Sequence, residues 1–357
     1  MQDSLARLCI SPTASIEQVI ELIERTGKGI ALVVGLDRLL LSVVTDGDIR
    51  RAILADLDLT SPVQTLIEHK ADTSRSNPIT APIGTSETEL LRIMNQHVLR
   101  HIPLVDDAGK VQNLALMSDL VHVNDLPMSA VIMAGGQGKR LRPLTEDTPK
   151  PMLSIGDKPL MERVVEQLRG AGIRRVNVTT HYQPGVITDY FGDGERFGVE
   201  IQYVEEEHPL GTAGAISLLN VTAEPLLVIN GDVLTQVDFR ALLDFHIEQD
   251  ADMTVAVRQH DFQFPYGVVE TVGANISGIV EKPTVKQLII AGIYMLSPDT
   301  CRSVPAESPL DMPELITKLI ADNRRVVCFP IHEYWLDIGQ HSDYQKAQAD
   351  FVRGKTM

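Results

Sequence analysis

The stretch AVIMAGGQGKRLRPLTEDTPKP, residues 130–151, constrains the fold most, because an apolar run ends there in closely spaced glycines followed by basic side chains. A short apolar run closed by glycine reads as a buried strand entering a tight turn. Gly135, Gly136 and Gly138 let backbone amides approach an anion closely, and Arg140 and Lys150 add two fixed cations that suit a triphosphate. Two familiar phosphate loops fail here. A Walker loop needs a glycine at 133 and a Ser or Thr after Lys139, where this chain has Met133 and Arg140. A dinucleotide fingerprint starting at Gly136 needs a third glycine at the position of Leu141.

From residue 129 onward, strand and helix patterns alternate: AVIMAG, a helix through Leu160, Val164 and Leu168, RVNVTT, a helix near 183–190, VEIQYV, then PLLVIN. That order predicts a mainly parallel sheet covered by helices, with ligands gathered at the carboxyl ends of the strands. A chain of 357 residues that is 44% hydrophobic can bury a large core and divides into two or three domains. Its 48 acidic and 32 basic residues give a net charge of -16, which argues against nucleic acid as a partner. Cys9, Cys301 and Cys328 lack CxxC spacing, so free thiols in a reducing compartment are expected rather than disulfides or zinc. No apolar run approaches a membrane span and no signal-peptide pattern is present, so the expected location is cytoplasmic, with no membrane partner.

Residues 1–122 contain a weak internal repeat, over about 8–60 and 75–122, with 123–128 expected as a linker. Ser15 to Gln18 and Ser86 to Glu89 are capping-box patterns, each opening a helix with one apolar face. GIALVV and HIPLV follow as strands, and each half closes with a strand, an aspartate and a helix, the aspartates being Asp48 and Asp119. About 110 residues thus resemble a tandem pair of cystathionine-β-synthase (CBS) domains. The resemblance implies an α+β module in which an adenine nucleotide binds with Asp48, and with Asp119 in the second repeat, on ribose hydroxyls and Thr45 near phosphate. A carboxylate suits ribose because it accepts from both hydroxyl groups. Leu116 stands where the second repeat would place its hydroxyl residue, which leaves one complete site. The alternative is that both aspartates cap the helices that follow them, the module serving only to dimerise the protein.

The opening stretch is similar to the sugar-1-phosphate nucleotidyltransferase signature GGxGxRLxPLTxxxPKP and reproduces every defined position of it. The resemblance covers about 225 residues, 129–357. It implies a Rossmann-like, GT-A-like α/β domain with a mixed, mainly parallel sheet, and Mg2+ as cofactor. Ala134, Gly135, Gly136 and Gly138 would bind the NTP, and Arg140, Lys150 and Lys282 would be catalytic. Asp232 in LLVINGDVL and Asp337 in YWLDIGQ would hold the metal, a hard cation for which two carboxylates plus phosphate and water suffice. Gly267, Glu281 and Lys282, in the GxVE and EKP elements, with Gly292 of AGIY, would bind the sugar phosphate. The family's asparagine before AGIY is here Ile290.

The family reads the base near VEEEHPLGTAGA, where Glu206, Gly211 and Thr212 are implied as NTP ligands. Guanine offers adjacent donors that a carboxylate can receive together, which favours GTP; a solvated acidic run is the bland alternative. The joining of a CBS pair to this domain resembles bacterial guanylyltransferases of legionaminic acid synthesis. That resemblance implies glucosamine 1-phosphate as substrate, with mannose or heptose 1-phosphate next, a homo-oligomer, and an adenine nucleotide as effector. A nucleotide-sensing protein without catalysis is the reading from a different class.

Overall fold

A computed structural model describes residues 5–71, 77–120, 125–306 and 308–354. The chain separates into two units, Met1–Asn124 and Asp125–Met357.

The C-terminal unit is built on a seven-stranded sheet. Its strands are β1 (Ser129–Met133), β2 (Arg175–Thr180), β3 (Glu200–Glu205), β4 (Leu226–Asn230), β5 (Met253–Gln263), β6 (Thr284–Leu296) and β7 (Val326–Ile331). The spatial order is β3-β2-β1-β4-β6-β5-β7. β1 pairs in parallel with both β2 and β4, β2 with β3, and β5 with β7, while β6 runs antiparallel to β4 and β5. The sheet is therefore mixed and mainly parallel, as expected from the alternation.

Neighbouring residues of β1 and β4 feed opposite faces, because strand side chains alternate. Ile132 and Ile229 join the core formed with Val165, Leu168 and Leu242. Val131 and Val228 join a second core with Ile216, Met312 and Leu315. Helices Leu160–Ala171 and Phe239–Glu248 thus line one face, and Met312–Ala321 the other. The expected helix at 183–190 is Pro184–Phe191.

Strand order reverses at β1: the chain steps outward to β2 and β3, then returns to β4 on β1's other side. Such a switch point opens a crevice at the strands' carboxyl ends. The Gly231 amide donates to Met133 O at 2.9 Å, so the loop after β4 lies directly beside the glycine loop after β1.

In the N-terminal unit the two repeats form sheets of the same kind. Cys9–Ile10, Ile30–Val34 and Leu40–Thr45 make one; Ala81–Pro82, His101–Val105 and Val111–Leu116 make the other. Each has one parallel and one antiparallel pairing, with an irregularity at equivalent places, Val33/Val34 and Leu104/Val105. A shared cluster including Ile30, Leu32 and Val111 joins them. Ser15 forms the full capping box with Gln18. Ser86 forms only half of one: it accepts from Glu89 N, while the Glu89 carboxylate turns to Arg92 at 2.7 and 2.8 Å.

The expected linker needs correction. Residues 123 and 124 lie outside the described residues, as do 75 and 76 at the start of the second repeat and 121 and 122 at its end. Leu126 and Met128, however, are buried in the C-terminal core, and Leu126 N bonds Gly172 O at 2.7 Å. Two apolar side chains at alternate positions make this stretch an edge of the unit. Among the described residues no helix is long and apolar enough to cross a membrane.

Candidate active site

The loop after β1 is fixed before any ligand arrives. Ala134 is fully buried and its amide donates to Thr179 O at 3.1 Å. A Cβ at Gly135 would come within 2.8 Å of Glu206 Oε1. Gly138 is left-handed (φ 60°), a Cβ there would lie 2.9 Å from Thr145 Cγ2, and the buried Thr145 hydroxyl donates to Gly138 O at 2.8 Å. At Gly136 an added Cβ would meet nothing within 4 Å. The protein's own packing therefore does not demand glycine at 136.

Beside this loop stand two carboxylates and two cations. Asp232 follows β4 directly, and its Oδ2 receives Lys150 Nζ at 2.5 Å. Strand Val233–Thr235 pairs antiparallel with Trp335–Asp337, placing Val233 opposite Asp337, and Ile338 N donates to Asp232 O at 3.0 Å. Two residues far apart in sequence are so brought to neighbouring positions. Burial pushes the Asp337 carboxyl up to about 6; the charges of Asp232 and Asp343 push the same way, opposed by Lys150 and Arg140. A carboxylate that resists ionising next to another is relieved by a cation.

Asp232 Oδ1 is buried without a hydrogen-bond partner among the described residues, as is Asn230 Oδ1. Buried acceptors of this kind call for a donor or an ion. Asp232 and Asp337 therefore fit a hard divalent cation. Among the described residues no group of three or more His, Cys, Asp or Glu forms a cage, so the other ligand positions would fall to phosphate and water.

The loop expected to read the base is held by the protein. Glu206 is buried between exposed Glu205 and Glu207; its Oε2 accepts from Leu210 N at 3.0 Å and its Oε1 lies against Gly135. It ties the base loop to the phosphate loop. A Cβ at Gly211 or Gly214 would lie 2.7 Å from Leu310 O or 2.6 Å from Ser308 O, so the missing side chains let this loop approach the 308–311 backbone closely. Thr212 is likewise engaged, its hydroxyl accepting from Met312 N at 3.0 Å at the start of helix Met312–Ala321.

On the sugar side, Gly267 faces Glu281, with a hypothetical Cβ 3.0 Å from Glu281 Oε2. Lys282 adopts a left-handed backbone (φ 46°), unusual for a lysine, and Phe264 N holds the turn through Pro283 O at 2.9 Å. Gly292 (φ 71°) lies where the β5–β6 register shifts, and a Cβ there would come 2.8 Å from Asn230 Nδ2. Glycine at 292 thus fits β6 against the loop carrying Asp232, while Ile290 is half-exposed just before it. The structure gathers Gly135, Gly138, Lys150, Asp232, Asp337 and Gly292 around the ends of β1 and β4. Gly267, Glu281 and Lys282 form a second group where strands leave the sheet.

A family model described as nucleotidyl transferase matches residues 129–353, well over half of the chain. This chain belongs to the nucleotidyl transferase family. The CBS domain model matches residues 6–55 and 71–124 of the same chain. Among its relatives, the mannose-1-phosphate guanylyltransferase of Mycobacterium tuberculosis is 36% identical over 239 residues, 64% of this chain and 65% of the relative. The mannose-1-phosphate guanyltransferase of Pichia angusta is 33% identical over 239 residues, with the same coverage. The chain thus spans just under two thirds of the length of these curated relatives. The crystal structure of HddC from Yersinia pseudotuberculosis complexed with GMP-PN aligns with a TM-score of 0.50 and 28% identity, over 63% of this chain and all of that one.

In the CBS unit, Thr45 and Asp48 meet as reciprocal caps of helix Asp46–Leu54. Asp48 Oδ2 accepts from the Thr45 amide and hydroxyl, each at 3.0 Å, and from Lys70 Nζ at 3.0 Å, while Oδ1 takes Arg51 Nη2 at 2.6 Å. Asp48 thus takes part in capping the helix, as the alternative expected of it. Asp119 is exposed on a four-residue helix, Met117–Leu120, behind the buried Leu116.

Sequence reasoning passed over Thr145, Asn230 and Lys70. Thr145 lies inside the quoted signature, and Asn230 ends the apolar run that leads to Asp232. Lys70 gave no local signal, because its partner is 22 positions away.

Proposed function

We propose that the protein transfers a nucleoside monophosphate from an NTP to a sugar 1-phosphate, releasing pyrophosphate. The observation that carries this is the pairing of Lys150 with Asp232, beside Asp337 and the Gly135–Gly138 loop, at the switch point between β1 and β4. A sugar phosphate oxygen is already an anion, so attack on the α-phosphorus needs no general base. The bond from that phosphorus to pyrophosphate breaks as the new one forms. The protein's part is positioning and charge neutralisation. The loop amides cradle the triphosphate, Arg140 and Lys150 offset the charge on departing pyrophosphate, and Lys282 holds the incoming phosphate. Asp232 and Asp337 would hold Mg2+, which when bound supplies further neutralisation of the phosphates.

GTP is the donor we favour. The names of the relatives and the GMP-PN complex of HddC support it. For the acceptor we retain glucosamine 1-phosphate, on the joining of a CBS pair to this domain as in legionaminic acid synthesis. The relatives' names favour mannose 1-phosphate as the second reading. The CBS unit is read as an adenine-nucleotide sensor of transferase activity, and the working form as a homo-oligomer.

The test is pyrophosphate release from a panel of nucleoside triphosphates against glucosamine, mannose and heptose 1-phosphates with Mg2+. Release with GTP and glucosamine 1-phosphate supports the full reading. Release only with mannose 1-phosphate replaces the acceptor, and release with no pair leaves the sensor without catalysis.

A further inference from the structure

The proposed transfer gives Lys150 to the pyrophosphate and Asp232 to the metal, yet the structure pairs the two with each other, Lys150 Nζ lying 2.5 Å from Asp232 Oδ2. The lysine backbone is pinned. Pro149 and Pro151 flank it, Pro151 and Met152 are buried, and Leu153 N donates to Lys150 O at 3.1 Å. The side chain starts beside the phosphate loop, since a Cβ added at Gly138 would lie 3.2 Å from Lys150 Cβ. It ends on the carboxylate, with the lysine side chain 15% exposed and the aspartate 26%. The stem thus stands between Asp232 and the loop, and rotation about its own torsions can carry the ammonium from one toward the other.

Asp232 Oδ1 is buried and Oδ2 carries the ammonium, so neither oxygen is open to a metal arriving from solvent. A divalent cation placed on Oδ2 would sit against the ammonium, and two cations sharing one oxygen repel strongly where water is scarce. A polyphosphate changes the balance, because it offers Lys150 an anion at the loop and the metal further oxygen ligands. Resting on the reading of this site as a nucleotidyl transfer centre, we infer that Lys150 caps Asp232 against divalent cations until a polyphosphate draws the ammonium to the loop. Metal and polyphosphate then bind cooperatively. Each loosens the ion pair that the other must break, and the coupling is equal in both directions. Arg140 supplies the comparison: its charge acts on the Asp337 carboxyl as that of Lys150 does, while the bond to Asp232 Oδ2 is the lysine's.

The experiment follows Mn2+ binding by electron paramagnetic resonance in the full-length protein without nucleotide, for the wild type, Lys150→Met and Arg140→Met, each checked by thermal unfolding. Should Lys150→Met not fold, Lys150→Ala carries the same expectation. Mn2+ binding that survives the addition of Asp232→Asn to each protein belongs to other sites and is subtracted. Lys150→Met should bind Mn2+ at least about tenfold more tightly than the wild type, the size of one charge-assisted hydrogen bond. Arg140→Met, which removes a like charge without uncapping Asp232, should gain no more than about threefold. In the reverse direction, calorimetry with tripolyphosphate in EDTA should show Asp232→Asn binding about tenfold more tightly than the wild type, and Asp337→Asn within about threefold of it. Equal Mn2+ gains in Lys150→Met and Arg140→Met, no gain in either, or an unchanged tripolyphosphate affinity in Asp232→Asn would overturn the cap and leave the transfer reading standing. If adding Asp232→Asn alters Mn2+ binding in none of the proteins, the metal reading of Asp232 falls and takes the cap with it.

Discussion

A methyl group at Gly135 or Gly138 would collide with Glu206 Oε1 or Thr145 Cγ2, whereas at Gly136 it would meet open space. The backbone at Gly136 is also outside the left-handed region, so alanine there carries no strain of its own. Gly136→Ala should leave thermal stability unchanged and raise the KM for the NTP by about tenfold, the cost of keeping one phosphate from its amide donors. Unchanged kinetics would place the triphosphate elsewhere. Gly138→Ala should instead lower stability by roughly 1–3 kcal/mol, through its left-handed backbone and crowding against Thr145, as read by denaturant unfolding. At Asp232 the expected effect is on turnover. Asp232→Asn keeps the shape of the side chain but loses its charge, and kcat should fall at least about a thousandfold with the fold intact. A well-folded Asp232→Asn protein with near-normal activity in Mg2+ would remove Asp232 from the proposed metal site.

At the scale of elements, the ribbon beyond the sheet differs from everything else in its unit. Among the described residues, strands Val268–Val272 and Asn275–Val280 pair only with each other, and nearly every residue in them is exposed, including Val269, Ile276 and Ile279. A two-stranded ribbon without a covered apolar face opens easily. It joins Gly267 to Glu281 and Lys282, the residues proposed to hold the sugar phosphate. Amide exchange across 264–283 should therefore slow when the NTP and sugar 1-phosphate are both bound, by about tenfold or more. Exchange that stays fast in the ternary complex would leave the ribbon out of the site. The sequence shows Val268-Val269 and Ile279-Val280 as apolar pairs indistinguishable from buried strand, because what covers a strand is not encoded in its own residues. β1 to β4 and their helices were legible for the opposite reason: each carries its full local pattern. The loop and the two aspartates were legible as well, since each closes an apolar run. The role of Gly211 was not, because the backbone it meets, at Leu310, is about a hundred positions away and no local pattern reports it.

For the molecule as a whole, acid is the informative perturbation, and His246 is where the C-terminal unit should feel it. The residue lies on helix Phe239–Glu248, 4% exposed, with Nδ1 2.8 Å from the hydroxyl of buried Thr254 on β5. Burial lowers its pKa to about 4, opposed by the charge of Asp252, which is itself paired with Arg324 at 2.5 Å. In the unfolded chain an imidazole titrates near 6.5. Above that value both states are neutral and stability is full; below it the unfolded chain takes the proton first, so stability falls progressively until the folded pKa is reached. Asp337 acts in the other direction, since its raised carboxyl protonates first in the folded state. That contribution is common to the wild type and His246→Asn, so the difference between their curves isolates His246. The range must stop above the sequence pI of about 5.0, where the charge that keeps the chain soluble vanishes. Trp335, the chain's single tryptophan, lies in the same unit as His246 and reports its unfolding without the CBS unit. Between pH 7.5 and 5.5, urea unfolding followed by Trp335 fluorescence should show the wild type losing about 1 kcal/mol relative to His246→Asn. The variant starts lower at pH 7.5, having lost the Thr254 bond, and the gap should narrow as the pH falls. Parallel curves would mean that the buried imidazole is solvated enough to take up its proton in the folded state.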